Sequence, residues 1–560
     1  MTILLAAALS VLLFFFPINS AYSATVTDTP AAIPGCEYQA IDINNPDYAG
    51  HPFANPQLIE ADNGELETTL TVAYSDREIA DCQVHLRSYN GQLVGPTLRV
   101  KPGDTINLKL INDLPPEAHL PEDPLSILES PDGCQYELAK HTSNIPHNFN
   151  VTNFHTHGLH VDPGTCSDNV LRVMNPRRTA ADPAPEYTVK IAVPPDHPTG
   201  TFWYHAHLHG ATALQVSSGM AGALIIEGGL DNIPEIAAAQ DKVFVLQQIA
   251  YDQQGEVENY NEFKPEKWED SQRRITINGQ IVPVIEMRPG EVQRWRFIHA
   301  GVRERINVEL RGNNRPLKLH EIAVDGIALG KLDSWKAIEL EPGYRSDVLV
   351  KANNLFPGQT SQTYDLIDAP SSVKQSLLNK GEAGSILARV IVRGESLDMP
   401  LPSDRQIAMV KQQDAPPDIK DDELATTKPT QLVAFSIKQV ASTPPEYQFA
   451  VNDRPFSPQD ERKLELNTAE VWQIKTDSPN AADKHPFHIH VNSFQYDRQD
   501  PNHQTERIWR DTLMVSADQP ETIRTRYTEF PGKFVLHCHI LDHEDQGMMQ
   551  AVEIVNQAPG

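Results

Sequence analysis

Basic runs are absent from this sequence. Its 47 lysines and arginines stand against 75 aspartates and glutamates, a formal net charge of -28, with no positive cluster. That balance argues against a nucleic acid or an anionic membrane surface as partner, and its plain reading is solubility. Only one apolar run, at the N-terminus, is long enough to notice, so no later segment is expected to cross a membrane. Long helical periods are scarce. Instead, 44 prolines and 30 glycines punctuate short alternating segments, which favours many short strands over helices. Cysteine is rare as well, five in all, too few for a small disulfide-rich scaffold.

At 560 residues the chain is too long for one core, and about 100–200 residues per domain suggests three or four. The N-terminal block Ile3 to Phe16, then Pro17 and the small-residue stretch Ser20 to Ala24, predicts a signal peptide over 1–23 cleaved after Ser23. An uncleaved anchor is the alternative, but the run falls short of the ~20 residues a bilayer needs. Without a twin-arginine pair, export runs by the general route, which predicts a periplasmic or secreted protein. In such a protein Cys36, Cys82, Cys134 and Cys166 suggest two disulfides with three possible connectivities; four reduced buried thiols are the alternative.

Three stretches share a turn, a strand, a second turn and another strand. They begin at Asn90-Gly91, Asn278-Gly279 and Asn452-Asp453, a recurrence at roughly 170–190 residues that predicts a repeated β-sandwich. The expected units are 36–227, 228–395 and 430–560, with 396–429 a Pro- and Asp-rich surface linker. A sharper repeat joins the outer thirds. Phe154-His155-Thr156-His157 matches Phe487-His488-Ile489-His490, and Tyr204-His205-Ala206-His207 matches Leu536-His537-Cys538-His539. The middle third has only His299 and His320 and reads as a spacer.

Side chains on a strand alternate faces, so each His-x-His pair directs two imidazoles to one side. His537 and His539 then face away from Cys538. Eight imidazoles in four pairs are too many for one ion and fit three metals. Cys538, His485 and His543 form a separate site with Met548 as a weak fourth ligand, a donor set suited to an electron-transfer copper. Zinc takes the same ligands but carries no redox chemistry. Thr152 and Ala206 stand where the last third has His485 and Cys538, so the first unit lacks a thiolate centre. One electron-accepting copper beside three others makes four one-electron stores, the number that reduces O2 to two waters.

The motifs His155-Thr156-His157-Gly158, His205-Ala206-His207, His485-Pro486-Phe487-His488-Ile489-His490 and His537-Cys538-His539-x3-His543-x4-Met548 resemble those of the three-domain multicopper oxidases, most closely the bacterial laccase-like group. The resemblance implies an all-β chain of three cupredoxin-like Greek-key sandwiches. It implies a type 1 copper on His485, Cys538 and His543 with Met548 axial, and a type 2 copper on His155 and His488. One type 3 copper would take His157, His205 and His539, the other His207, His490 and His537. Asp168, eleven residues after His157, and Glu544 match two acids of the family and are expected to deliver protons or to orient histidines. Asp511 reads as structural, and His160 and His209 as surrounding shell.

The electron donor is expected to be a phenol or aromatic amine, oxidised at the type 1 edge through His485. The alternative is a metallo-oxidase of Cu(I), Fe(II) or Mn(II). Nine methionines without a methionine-rich insert argue against a Cu(I) specialist. A copper-binding or scaffold protein without turnover would have lost ligands, and here all ten histidines and Cys538 are present.

Overall fold

The computed structural model describes residues 50–556, apart from 80–81, 118–127, 130–134, 139–142, 253–254, 258–273, 313–316, 373–383, 443–444 and 479–482. The predicted signal peptide over 1–23, Cys36 and Cys134 lie outside the described residues. No helix among them is long and apolar enough to cross a membrane.

Alternation builds the strands. In Glu186–Ala192, Val189 and Ile191 are buried while Lys190 between them is exposed, the period of two expected for a sheet with one wet face. The three repeat marks are turns of one kind. Asn90 and Gly91, Asn278 and Gly279, and Asn452 and Asp453 all have positive φ near 51–77°, as two-residue hairpin loops require.

The strands pair into three two-layer sandwiches. In the first, Leu58–Glu60, Thr97–Val100, Ala221–Ile226, Gly200–His205 and His155–His157 form one sheet in that order. Glu186–Ala192, Thr105–Asn112, Glu65–Ile79 and Cys82–Tyr89 form the other. The second sandwich runs from Gln240 to Arg393 with sheets of six and five strands. The third repeats the first: Glu461–Glu465, Met549–Val555, Gly532–Cys538, Lys484–Ile489 and Thr512–Ser516 make one sheet, opposite a six-stranded one. Each sandwich closes over its own apolar core, around Leu70 and Leu108, around Trp295 and Val348, and around Trp472 and Leu536.

The stretch 396–429 is more than a draped connection. It holds a helix, Asp404–Asp414, in which Gln406 Oε1 accepts the Ser403 N–H at 2.8 Å, one half of a capping box. Ile407 and Val410 are buried with Leu230, Ile233, Val292 and Ile322. At its end Asp414 Oδ2 accepts the Thr199 hydroxyl at 2.7 Å. Cys82 is disulfide-bonded, whereas Cys166 and Cys538 keep their thiols. With the Cys166 thiol reduced, one bridge at most forms among the four early cysteines instead of the two expected, and it includes Cys82.

Candidate metal centres

His485 and Cys538 lie on neighbouring antiparallel strands, where Phe487 pairs with Cys538 and His488 with His537. The odd-numbered side chains of Lys484–Ile489 turn into the sandwich and the even-numbered ones turn out of it, which assigns His485 and His488 to different sites. The short helix Leu541–Asp545 then brings His543 back to the sulfur. Cys538 Sγ is 3.4 Å from His485 Nδ1 and 3.9 Å from His543 Nδ1, and the two nitrogens are 3.3 Å apart. Met548 is fully buried in the same core, held by Met548 N–H donating to His543 O at 2.9 Å and Cys538 N–H to Met548 O at 3.0 Å. His485 packs on Phe435 and His543 on Phe449, with ring centroids 5.7 and 5.0 Å apart.

On the other face, four His-x-His segments from the first and last sandwiches meet. His155 stacks on His490 with centroids 3.9 Å apart, and His157 on His488 at 3.8 Å. His207 Nε2 and His490 Nε2 lie 3.1 and 3.3 Å from His537 Nε2. The outward ring nitrogens are engaged. His155 Nδ1 donates to Asp168 Oδ1 at 3.0 Å, His205 Nδ1 to Ala206 O at 2.8 Å, His488 Nδ1 to Asp511 O at 2.8 Å and His537 Nδ1 to Cys538 O at 3.0 Å. Carboxylates and carbonyls only accept, so each of these rings keeps its proton outward and turns a lone pair inward. His157 is reversed: its Nε2 donates to Asp511 Oδ1 at 3.1 Å, leaving Nδ1 inward.

The inward nitrogens are orphans. His155 Nε2, His157 Nδ1, His205 Nε2, His488 Nε2 and both nitrogens of His539 are buried without a hydrogen-bond partner. Burial first, then repulsion from neighbouring rings, lowers His157, His205, His207, His490, His537 and His539 well below the ordinary histidine value. Neutral imidazoles converging without protons to share are a metal's donor set, and so is the sulfur with its two nitrogens.

Multicopper oxidase sequence families match residues 141–230, 244–387 and 425–558. The chain belongs to the multicopper oxidase family, in its bacterial laccase-like group. It is 24% identical to the multicopper oxidase Mco of Staphylococcus aureus over 480 residues, 83% of each chain. It is 23% identical to the laccase of Bacillus subtilis, covering 84% of this chain and 90% of that one. A solved metallo-oxidase of this family from Campylobacter jejuni superposes with a TM-score of 0.66 at 20% identity, covering 91% and 96% of the two chains. The three sandwiches are thus cupredoxin-like, as the motifs predicted.

In this multicopper oxidase His207, His490 and His537 converge as one set, with ligand atoms within 4.8 Å of one another. His155 shares such a group with His488 and His490, and another with His157 and His205. His539 stands with ring centroids 5.0 and 5.9 Å from His157 and His205. In the first sandwich Ala206 is packed into the core and the Thr152 hydroxyl bonds Gln215 Oε1 at 2.9 Å, so core contacts replace the missing thiolate centre.

The two expected acids differ. Asp168 orients: besides His155 it accepts Thr156 N–H at 3.2 Å and the Thr156 hydroxyl at 2.7 Å. Glu544 sits fully buried between two histidines of the cluster, 3.4 Å from His207 Nδ1 and 3.3 Å from His537 Nδ1. Burial, then its neighbour Asp545, raises it well above the usual carboxyl range. His160 and His209 engage Val491 O and Asn144 Oδ1 instead.

Several residues were not singled out from sequence, or were underrated. Asp511 touches His157 through its side chain and His488 through its carbonyl. Arg345 of the middle sandwich holds Asp511, and Gly343 leaves room for the rings: a Cβ there would lie 3.1 Å from His539 and 3.2 Å from His157. Arg303 pairs with Asp542, beside His543. No local motif marks these residues, because each acts across a domain boundary. The middle third is therefore not a bare spacer. His485 is 3% exposed whereas His543 is half-buried, so of the two imidazoles beside Cys538 the more open is not the one expected.

Proposed function

We propose that this protein is a laccase-like oxidase that draws single electrons from phenols or aromatic amines and reduces O2 to two waters. The observation that carries the donor class is the surface beside His543. Among the described residues eight large apolar side chains are well exposed, and four of them, Leu432, Ile437, Val440 and Tyr447, lie on one hairpin. Ile437 pairs with Phe449, on whose ring His543 packs, and Tyr447 follows two residues before Phe449 on the same face. The apolar and aromatic side chains of Ile437 and Tyr447, on the same face as Phe449, suit a flat aromatic donor near His543. The donor's electron would enter at His543, and the Cys538 backbone would connect that site to His537 and His539 on either side of it.

Four coppers are proposed, one type 1 on His485, Cys538, His543 and Met548, one type 2 and two type 3 on the eight remaining histidines. When bound, they supply the four one-electron stores that O2 reduction to water draws on. Glu544, between His207 and His537, is placed to hold a proton for that reduction. A periplasmic or secreted location is proposed from the N-terminal sequence alone.

The second reading is a metallo-oxidase, supported by the Campylobacter jejuni likeness and by Asp483 and Asp542, whose charges act on His485. An oxygen electrode separates the two. Dimethoxyphenol should support oxygen uptake by the copper-loaded protein with no added metal; uptake only with Cu(I), Fe(II) or Mn(II) would establish the metallo-oxidase. Metal analysis should find four coppers per chain, and one copper would refute the cluster.

A further inference from the structure

We propose that the middle sandwich clamps the two copper centres separately, through two buried Arg–Asp pairs that cross domain boundaries. The inference rests on the assignment of the copper sites given above. The first pair is Arg345 with Asp511. Arg345 is 1% exposed and Asp511 3%. The guanidinium engages both carboxylate oxygens of Asp511, with Nη1 to Oδ1 at 2.7 Å. It also donates to Thr201 O of the first sandwich at 3.3 Å and to Gly343 O of its own at 3.0 Å. Asp325, again of the middle sandwich, accepts the Arg345 N–H at 3.1 Å and Arg510 Nε at 2.9 Å. Asp511 thereby has a fixed position, and from it reach the contacts to His157 and His488.

The second pair is Arg303 with Asp542. Both are buried, at 3% and 1% exposed, and the fork is again two-pronged, with Nε to Oδ1 at 3.0 Å. Val302 O accepts the Leu541 N–H at 3.1 Å, so backbone and side chain together fasten the helix that carries His543. The first pair thus bears on His157 and His488, and the second on the helix that carries His543.

A pair in this setting costs desolvation on both sides and is a weak source of stability. Its two-pronged geometry does fix position. An orienting partner of a metal ligand is worth about ten- to a hundredfold in metal affinity or activity. Arg345 and Arg303 are therefore positioning residues, each for one centre.

The test uses the copper-loaded full chain and the conservative variants Arg345→Lys and Arg303→Lys, which keep the charge and lose the fork. Arg345→Lys should change the type 2 electron paramagnetic resonance signal and weaken retention of the cluster copper at least tenfold. The type 1 visible band and potential should stay as in the wild type. Arg303→Lys should shift the type 1 band and potential and leave the type 2 signal unchanged. Should either variant fail to fold, the neutral doubles Arg345→Met with Asp511→Asn and Arg303→Met with Asp542→Asn are read the same way. Crossed effects, or none in folded protein, overturn the clamp. A wild type that shows no blue band or no type 2 signal refutes the copper assignment instead, which keeps the two failures distinct.

Discussion

Cys538 joins the two centres at the scale of one residue. Its side chain enters the sandwich core while His537 and His539, one peptide away on either side, face the cluster. The sulfur is fully buried and its thiol is raised well above the ordinary value by that burial, so the residue is no general nucleophile. In the proposed type 1 site it would serve as a metal ligand once the proton is displaced. Replacing it with serine exchanges a soft thiolate for a hard, protonated hydroxyl of similar size. Cys538→Ser should therefore abolish the intense visible absorption and turnover while the cluster's type 2 signal survives; a variant that stays blue would show that the sulfur is not the ligand.

Among the elements, strands carry the ligands and short helices adjust them. The His-x-His strands were legible from sequence because a period of two is a local property. The short helix Leu541–Asp545 was not, and it brings His543 to Cys538 and leaves that imidazole the more open of the two beside the sulfur. The stretch 396–429 differs from a surface linker for a related reason. Its Pro and Asp content reads as coil, yet Ile407 and Val410 in the helix Asp404–Asp414 find a groove made by residues distant in sequence. Ile407 is fully buried there, and Ile407→Ala should cost about 2–4 kcal/mol by leaving a cavity. A lower unfolding midpoint with an unchanged visible spectrum is the expected result. An unchanged midpoint would mean that the helix is only loosely docked.

The whole molecule adds a pH dependence that no single site explains. Burial holds His299 at about 3 and His197 at about 4, and neither is a proposed ligand. The unfolded chain protonates these rings near 6.5 while the folded one does not, so their contribution is complete above that pH and is lost as pH falls through it. Each group contributes about 1.4 kcal/mol per pH unit between 6.5 and its folded value. Glu521, raised to about 7 by burial, works in the opposite sense, so the effect is best isolated by comparison. In chemical denaturation of the metal-free protein, His299→Asn should flatten the loss of stability between pH 7 and 5; an unaltered slope would contradict a neutral buried His299. The sequence by itself determined the strand class, the three-unit repeat, the histidine and cysteine clusters that converge in the structure and the absence of a thiolate in the first unit. All of these are written in local spacing, in residue chemistry and in the resemblance that such motifs carry. Only the tertiary structure decided that His543 is more open than His485, that Asp511 contacts two cluster histidines, and that Arg345 and Arg303 of the middle sandwich pair with Asp511 and Asp542. Exposure and buried charge pairing depend on which distant segments meet, and no period along one strand encodes that.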